Sequence, residues 1–317
     1  MAEKKIITVF GATGQQGGGF ARAVLADEGG DFAVRAVTRH TDSDRARELH
    51  RLGVQVVRAD MDDPATLGAA FDGAYGAYLV TNFWEHLSAE REKAQARALA
   101  DAAGHAGIQH AVWSTLEDTR ECLSPDDPRT PVLQGSYTVP HFDAKAEADH
   151  YFTDAGVPTT FLRSTFYWEN LYGAFSPQRG EDGALQLVFP MGSSRLSGIA
   201  VDDIGKTALS VLKRGTDLIG ATVSIAGEHL PLADMAAALT EAVGVPVQYL
   251  PLTPDAFRAL GFPGADEVGN MFQYYAECEE RFTAARDLDA VRELNPELQS
   301  FATWLTAHTD QLRAAWT

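Results

Sequence analysis

Cysteine is scarce in this sequence, and its absence from metal-binding spacings excludes several classes of protein. Only two cysteines occur among 317 residues, Cys122 and Cys278, and they stand far apart and outside any CxxC motif. This usage argues against a disulfide scaffold and a zinc site, and for a reducing compartment. The nine histidines form no HExxH motif or close pair, so we expect no bound metal.

Positive charge is also scarce, since 26 Lys and Arg face 44 Asp and Glu and give a net charge of −18. Generic attraction to nucleic acid needs a basic footprint, so we expect no direct nucleic-acid binding. No apolar stretch reaches the roughly 18 residues of a membrane span. The N-terminus enters a strand too early for a signal peptide. Together these shortages predict a cytoplasmic protein without a membrane anchor.

The first 165 residues alternate between strand-like and helix-like segments. Segments rich in Val, Thr and aromatic residues predict strands over 6–10, 32–38, 54–60, 76–81, 109–115 and 158–164. Alternation of this kind is typical of a parallel sheet covered by helices on both faces. We therefore predict an α/β fold with a Rossmann-type, doubly wound parallel sheet over residues 1–165. The mixed pattern of residues 166–317 predicts a region that completes the sheet and forms a smaller α/β C-terminal lobe.

Residues 117–140 interrupt this alternation with four prolines and no periodicity. We interpret them as a long loop. Long loops inside compact domains are often functional lids, but some have no role in function. The sequence leaves both interpretations open.

A glycine-rich loop follows the first predicted strand and opens the first predicted helix. Gly11, Gly14 and Gly17 form a G-x-x-G-x-x-G pattern. In a dinucleotide-binding loop such glycines permit a tight turn, a close approach of the backbone to the diphosphate, and close packing of helix on strand. The diphosphate then lies at the positive end of the helix. A purely structural turn is the alternative, but the position after a strand favours a nucleotide site.

The end of the second predicted strand indicates which dinucleotide is bound. NAD-binding sites usually place an acid there, whereas this chain has Thr38 and Arg39 and no acid before Asp42. A guanidinium can pair with a 2′-phosphate through two hydrogen bonds. Although an exposed surface arginine is the simpler interpretation, we predict NADP(H) as the cofactor.

Several motifs together resemble the NmrA-like branch of the atypical short-chain dehydrogenase/reductase superfamily. They are VFGATGQQGG, VRAVTR, ADMDD, LVTNFWE, HFDAKAEADHYF, GVPTTFLRSTFYWENL and GFPGADEVGNMFQYYA. The resemblance covers nearly the whole chain and is closest to NmrA-like proteins that act as NADPH redox sensors. It implies a Rossmann domain with a small lobe and NADP(H) at the carboxyl ends of the strands.

The resemblance also implies a set of cofactor contacts. The matching positions are Gly11, Thr13, Gly14, Gln15, Gln16 and Gly17 for the phosphates, Thr38 and Arg39 at the 2′-phosphate, Asp60 and Met61 beside the adenine, Thr81, Asn82 and Phe83 near the nicotinamide half, Lys145 at the nicotinamide ribose, and Tyr167, Trp168, Glu169 and Asn170 at the nicotinamide end.

The catalytic motif of the superfamily is altered. Active reductases use Tyr-x-x-x-Lys on a helix, where the lysine lowers the pKa of the tyrosine. This chain has His141 in the tyrosine position and retains Lys145. An imidazole can donate a proton near neutral pH. The alternative is that His141 only packs there and that Lys145 only binds the ribose.

Two functions remain open at this point. The first is a redox sensor or regulator that responds to the NADPH/NADP⁺ ratio, through a protein partner. The second is an NADPH-dependent reductase of a small planar quinone, imine or enone. The aromatic residues Phe83, Trp84, Phe166, Tyr167 and Trp168 would line its pocket unless they belong to the core. Residues 270–282 would form the far wall of that pocket or a homodimer contact.

Overall fold

The computed structural model describes residues 3–180 and 183–316, which form thirteen strands and twelve α-helices. The strands are β1 (Lys5–Val9), β2 (Phe32–Thr38), β3 (Gln55–Arg58), β4 (Gly76–Leu79), β5 (His110–Thr115), β6 (Thr159–Arg163), β7 (Phe166–Tyr167), β8 (Gln178–Arg179), β9 (Leu185–Phe189), β10 (Arg195–Ile199), β11 (Thr222–Ser224), β12 (Glu228–Pro231) and β13 (Val247–Pro251). The helices are α1 (Gln15–Ala26), α2 (Asp44–Arg51), α3 (Leu67–Phe71), α4 (Ala89–Ala106), α5 (Pro140–Asp154), α6 (Val201–Lys213), α7 (Leu232–Val243), α8 (Pro254–Arg258), α9 (Ala265–Glu277), α10 (Glu279–Ala284), α11 (Leu288–Leu294) and α12 (Phe301–Trp316).

The chain divides into two compact units and enters each of them more than once. The first unit runs to Asp118 and includes His141–Ser164 and Val201–Ser224. The second unit contains Thr119–Pro140, Thr165–Ala200 and the chain from Ile225 onward. The sequence pattern placed residues 1–165 in one region and 166–317 in another. In this division residues 119–140 belong to the second unit and residues 201–224 belong to the first. Within the described ranges, no helix is both long and apolar enough to cross a membrane.

The first unit is built on a seven-stranded parallel sheet in the order β11, β6, β5, β4, β1, β2, β3. Strands β4 and β5 are buried along their whole length, as expected of central strands with helices on both faces. On one face, helices pack through a core that includes Phe10, Leu79, Trp113 and Phe152. This arrangement confirms the predicted Rossmann-type α/β fold.

Helix α1 packs against α6 through glycines rather than through large side chains. A Cβ atom on Gly205 would lie 2.3 Å from the backbone of Gly19, and one on Gly19 would lie 2.7 Å from the carbonyl oxygen of Val201. Both distances are shorter than any normal contact, so only glycine allows the two helices this approach. The contact fixes the position of α1, which begins at the glycine-rich loop.

The second unit has two small sheets, β12-β10-β7 and β13-β9-β8, together with helices α7 to α12. Trp168 packs against Phe301 and Trp304, with ring centroids 5.4 and 5.9 Å away. The indole also lies against Gly198 and Gly227, where a Cβ atom would collide with it. These contacts make Trp168 part of the core of this unit.

A disulfide joins Cys122 to Cys278 within the second unit. In the sequence, the two separated cysteines indicated a reducing compartment, and that argument loses its support because the two are linked. The two positions are 156 residues apart in the sequence. Only the tertiary fold brings them together, because no sequence spacing predicts such a pair.

Segment 119–140, most of the predicted loop, is fastened to α8 and α9 by polar contacts as well as by the disulfide. The side-chain amide of Asn270 donates to the carbonyls of Pro131 and Thr138, at 2.8 and 2.6 Å. The Arg258 guanidinium donates to the carbonyl of Arg129 at 3.0 Å. A lid has to move, so these ties favour a structural role for the segment over a lid.

Candidate functional site

The glycine-rich loop turns directly from β1 into α1. Gly11 has φ +67°, which favours glycine, and its carbonyl accepts a hydrogen bond from the Gly14 N–H at 2.8 Å. A Cβ atom on Gly17 would lie 2.5 Å from the Gly11 backbone. The loop is therefore pressed onto the helix, and the first turn of α1 contains no acidic side chain. The result is a helix N-terminus whose field favours an anion.

The ends of β2 and β4 are linked by polar side chains beside this loop. The Arg39 guanidinium lies 2.7 Å from the Glu85 carboxylate, and both side chains are about half exposed. The Asn82 amide donates to the other Glu85 oxygen at 3.2 Å. These groups lie at the carboxyl edge of a parallel sheet, next to the point where the strand order reverses. In open α/β sheets that is where ligands bind.

A second cation lies against the glycine-rich loop. The Arg45 guanidinium, from the first turn of α2, donates to the carbonyl of Thr13 at 2.7 Å. Sequence reasoning missed this contact, because four arginines fall within residues 38–51 and nothing in the pattern distinguishes Arg45 from the others.

Other predicted cofactor residues in the first unit lie in the loop after β3 and at the loop that opens α1. The Asp60 carboxylate accepts a hydrogen bond from the Asp62 N–H at 3.0 Å, which closes a tight turn. Met61 packs against the core and is only partly exposed. The Gln16 side chain accepts a hydrogen bond from the Tyr78 hydroxyl at 2.6 Å.

Lys145 lies in a buried polar cluster at the end of β4. Its ammonium group is 2.6 Å from the Thr81 hydroxyl and 2.8 Å from the Glu92 carboxylate, and the residue is 7% exposed. The Thr81 hydroxyl in turn donates to the same Glu92 oxygen at 2.6 Å. The structure thus brings together Thr81 and Lys145, both predicted site residues, with an acid that sequence reasoning missed.

Glu92 gives little signal in the sequence. It lies within AEREKAQARAL, where acids and bases alternate as on an exposed helix face. In the structure it is fully buried, because that face of α4 covers the sheet.

His141 is surrounded by aromatic rings on α5 and in the turn after β4. The centroids of Trp84, Phe142 and Phe83 lie 4.9, 4.8 and 5.7 Å from that of the imidazole. His141 is 6% exposed and Phe83 is 2% exposed, whereas Trp84 is 47% exposed. The imidazole is therefore largely shielded from solvent, and the indole of Trp84 is the accessible ring of this group.

The predicted nicotinamide-end residues 167–170 lie in the second unit. Glu169 accepts a hydrogen bond from the Trp304 indole at 3.1 Å, and Trp168 is 1% exposed. Phe166 packs against Phe175 and Phe189. The side chains of Phe166 and Trp168 thus belong to the core, as the alternative interpretation of the aromatic cluster had it. For Tyr167, Trp168, Glu169 and Asn170, cofactor contact stays a prediction.

The fold and the loop define a Rossmann-type α/β protein with a dinucleotide-type glycine loop. A model of the NmrA-like family matches residues 3–305. The chain therefore belongs to the NmrA-like family, as the sequence motifs predicted.

Known relatives and structures agree with this assignment. The chain is 28% identical to the NmrA-like family domain-containing oxidoreductase lnbB of Aspergillus flavus, across 86% of this chain and 84% of that protein. Its fold is similar to that of NmrA, a negative transcriptional regulator, with a TM-score of 0.81 and 22% identity over 99% of this chain and 98% of NmrA. NmrA has also been solved in complex with NAD and with NADP.

An enzyme shares the fold as well. An NADPH-dependent quinone oxidoreductase from Escherichia coli, solved with NADPH, superposes with a TM-score of 0.75 and 22% identity over 96% of this chain and 99% of that one. The same architecture therefore occurs both in a transcriptional regulator and in an oxidoreductase.

Proposed function

We propose that the first unit binds NADP(H) at the carboxyl edge of its parallel sheet. The observation that carries this proposal is the loop geometry, in which Gly11 and Gly17 leave no room for a Cβ atom and α1 begins without an acid. The diphosphate would lie at the start of α1, and Arg39 would hold the 2′-phosphate. The solved NADP and NADPH complexes of similar folds support the same cofactor.

The chain then serves as a redox sensor or regulator that responds to the NADPH/NADP⁺ ratio. In the position of the catalytic tyrosine it has His141, which is 6% exposed and enclosed by aromatic rings. The chain therefore lacks the tyrosine that active reductases of the superfamily use as proton donor. Such a sensor requires its conformers to bind the two cofactor forms with different affinity. Its fold similarity to NmrA, a negative transcriptional regulator, supports this role.

A second candidate function is an NADPH-dependent reductase of a small quinone, imine or enone. Two observations favour it. Relatives such as lnbB of Aspergillus flavus are named oxidoreductases. The half-exposed Trp84 indole lies beside His141 and presents a surface on which a planar ligand can stack. The nicotinamide would supply the hydride, while Trp84 would orient the acceptor.

Turnover separates the two functions. Purified protein is mixed with NADPH and a panel of quinones, cyclic imines and enones, and NADPH absorbance is followed together with cofactor binding by calorimetry. A sensor binds NADPH tightly and consumes none of it. Sustained consumption that His141→Ala or Lys145→Ala abolishes would establish the reductase and exclude a pure sensor.

His150→Ala is the matched control, because His150 lies on the same helix with its side chain 57% exposed. Loss of turnover in this variant too would mean that the assay reports damage to α5. If neither NADP⁺ nor NADPH produces heat of binding, both functions are wrong.

A cytoplasmic location and a homodimer stay predictions, to be checked by fractionation and by light scattering.

A further inference from the structure

Glu92 has no assigned role, yet it is the central acid of the buried cluster at the end of β4. It lies in the first turn of α4, where the helix N-terminus favours negative charge. One carboxylate oxygen contacts both Lys145 and Thr81, at 2.8 and 2.6 Å. The other lies 3.5 Å from the imidazole of His86.

This environment keeps Glu92 ionised despite its burial. Burial alone would raise the pKa of the Glu92 carboxyl, but the Lys145 charge and the contacts with His86, Lys145 and Thr81 outweigh it and lower the pKa to about 2. At neutral pH the cluster therefore contains a full negative charge facing the Lys145 ammonium.

The pairing matters because Lys145 is itself almost completely buried. An isolated ammonium in such a place is costly, and losing its proton relieves the cost. A neutral amine has fewer hydrogen-bond donors and no charge with which to hold an anionic cofactor. Lys145 can act as a cofactor ligand only if a neighbouring group compensates its charge.

We propose that Glu92 is a positioning residue for cofactor binding: its buried carboxylate pairs with the Lys145 ammonium and fixes it at the end of β4, with Thr81 bridging the two side chains. This inference rests on the proposed NADP(H) site. Glu92 acts through Lys145 and does not touch the cofactor.

The other charged groups of the cluster limit the pH range in which this can be tested. Asp149 lies one turn after Lys145 on α5 and accepts a hydrogen bond from the Trp113 indole at 2.9 Å. Burial raises the pKa of the Asp149 carboxyl to about 6, against the hydrogen bonds from Thr115 and Trp113 and the charges of Arg163 and Lys145, which lower it. From about pH 8 upward the Asp149 carboxyl is almost fully ionised, so the test is run in alkaline buffer. The His86 imidazole is the other group that faces Glu92.

The test compares Glu92→Gln with the unchanged protein by calorimetric titration with NADPH between about pH 8 and about pH 9. For the unchanged protein we expect a Kd that varies little. For Glu92→Gln we expect a Kd about tenfold higher, because the buried Lys145 ammonium loses the carboxylate that fixes it at the end of β4. Lys145→Met should bind weakly at every pH, and Glu92→Asp should restore much of the affinity.

Glu90→Gln is the matched control. Glu90 lies in the same helical turn and carries the same charge, but its side chain is 81% exposed and pairs with Lys93. It should bind NADPH like the unchanged protein. If Glu92→Gln also does so at every pH, the inference is wrong. If the unchanged protein does not bind NADPH, the proposed function fails instead.

Thermal unfolding of the single and double variants without cofactor tests the Glu92–Lys145 pairing even if Glu92→Gln folds poorly. The double variant Glu92→Gln/Lys145→Met removes both buried charges, so it should unfold at a higher temperature than Glu92→Gln. Equal melting of the single and double variants would show that Glu92 stabilises the fold in some other way, and would overturn the proposal.

Discussion

The ion pair at the carboxyl edge of the central sheet is one that a bound anion can replace. Arg39 and Glu85 form an ion pair with both side chains 45% exposed. Exposed pairs of this kind contribute little stability, because water screens them. A phosphate carries more charge than a carboxylate and accepts two parallel hydrogen bonds from a guanidinium. Breaking the contact with Glu85 therefore costs little free energy when Arg39 pairs with a 2′-phosphate instead.

Replacing Arg39 should change cofactor preference more than it changes binding in general. We expect Arg39→Ala to raise the Kd for NADPH about ten- to a hundredfold, which corresponds to the loss of one or two charge-assisted hydrogen bonds. The Kd for NADH should rise far less. Calorimetric titrations with each cofactor measure this. Arg47→Ala is the control, since Arg47 is on α2, 57% exposed and paired with Asp44. If the Kd values for NADPH and NADH rise equally, the role given to Arg39 is wrong.

Helices α1 and α6 approach each other closely because glycines lie where they meet. The contact uses Gly19 from one helix and Gly205 from the other, with backbone against backbone. Such an approach leaves no room for a larger side chain between the helices, and α1 begins at the loop that would hold the diphosphate. The spacing of these two helices is thus linked to the geometry of the site.

Adding one methyl group at this interface should disturb both stability and binding. Gly205→Ala places a Cβ atom 2.3 Å from the Gly19 backbone. We expect a loss of about 1–3 kcal/mol in the free energy of unfolding from overpacking, larger than the helix propensity that alanine adds. Denaturant unfolding and NADPH titration measure the two effects.

Gly68→Ala serves as the comparison for this substitution. Gly68 lies in α3, and a Cβ atom there would meet nothing within 4 Å. Alanine should be neutral or stabilising by up to about 1 kcal/mol at this site. If Gly205→Ala behaved in the same way, the tight α1–α6 contact would be refuted.

Considered as a whole, the molecule consists of two units with interleaved chain segments, and its disulfide lies within the second. The link from Cys122 to Cys278 ties segment 119–140 to the end of α9. A cross-link between positions so distant in sequence removes many conformations from the unfolded chain. Its main expected effect is on the stability of the second unit.

Removing the disulfide should lower that stability without changing the sheet of the first unit. We expect Cys122→Ser or Cys278→Ser to cost about 2–5 kcal/mol of unfolding free energy. Thermal melting with and without dithiothreitol is the measurement, and the reductant should affect the unchanged protein only. Two thiols that alkylate readily in the native, unreduced protein would show that the link does not form.

Much of the first unit could be predicted from local pattern. The segment 32–38 coincides with β2, and 109–115 differs from β5 by one residue. These strands are central, and continuous β-branched and aromatic runs indicate them well. The segment 54–60 overran β3 at both ends because β3 is an edge strand of four residues. The two-residue strands β7 and β8 are too short to leave any pattern.

The sequence by itself determined the alternation of strands and helices, the glycine loop after β1 and the basic end of β2, because each depends on residues close together in the chain. Tertiary structure alone decided the partner of Cys122, the burial of Glu92 against Lys145 and the packing of Trp168 in the core. Those contacts join residues dozens to more than a hundred positions apart. Helical or strand periodicity carries no information about such pairs, since it reports only which face of an element is buried and not what covers it.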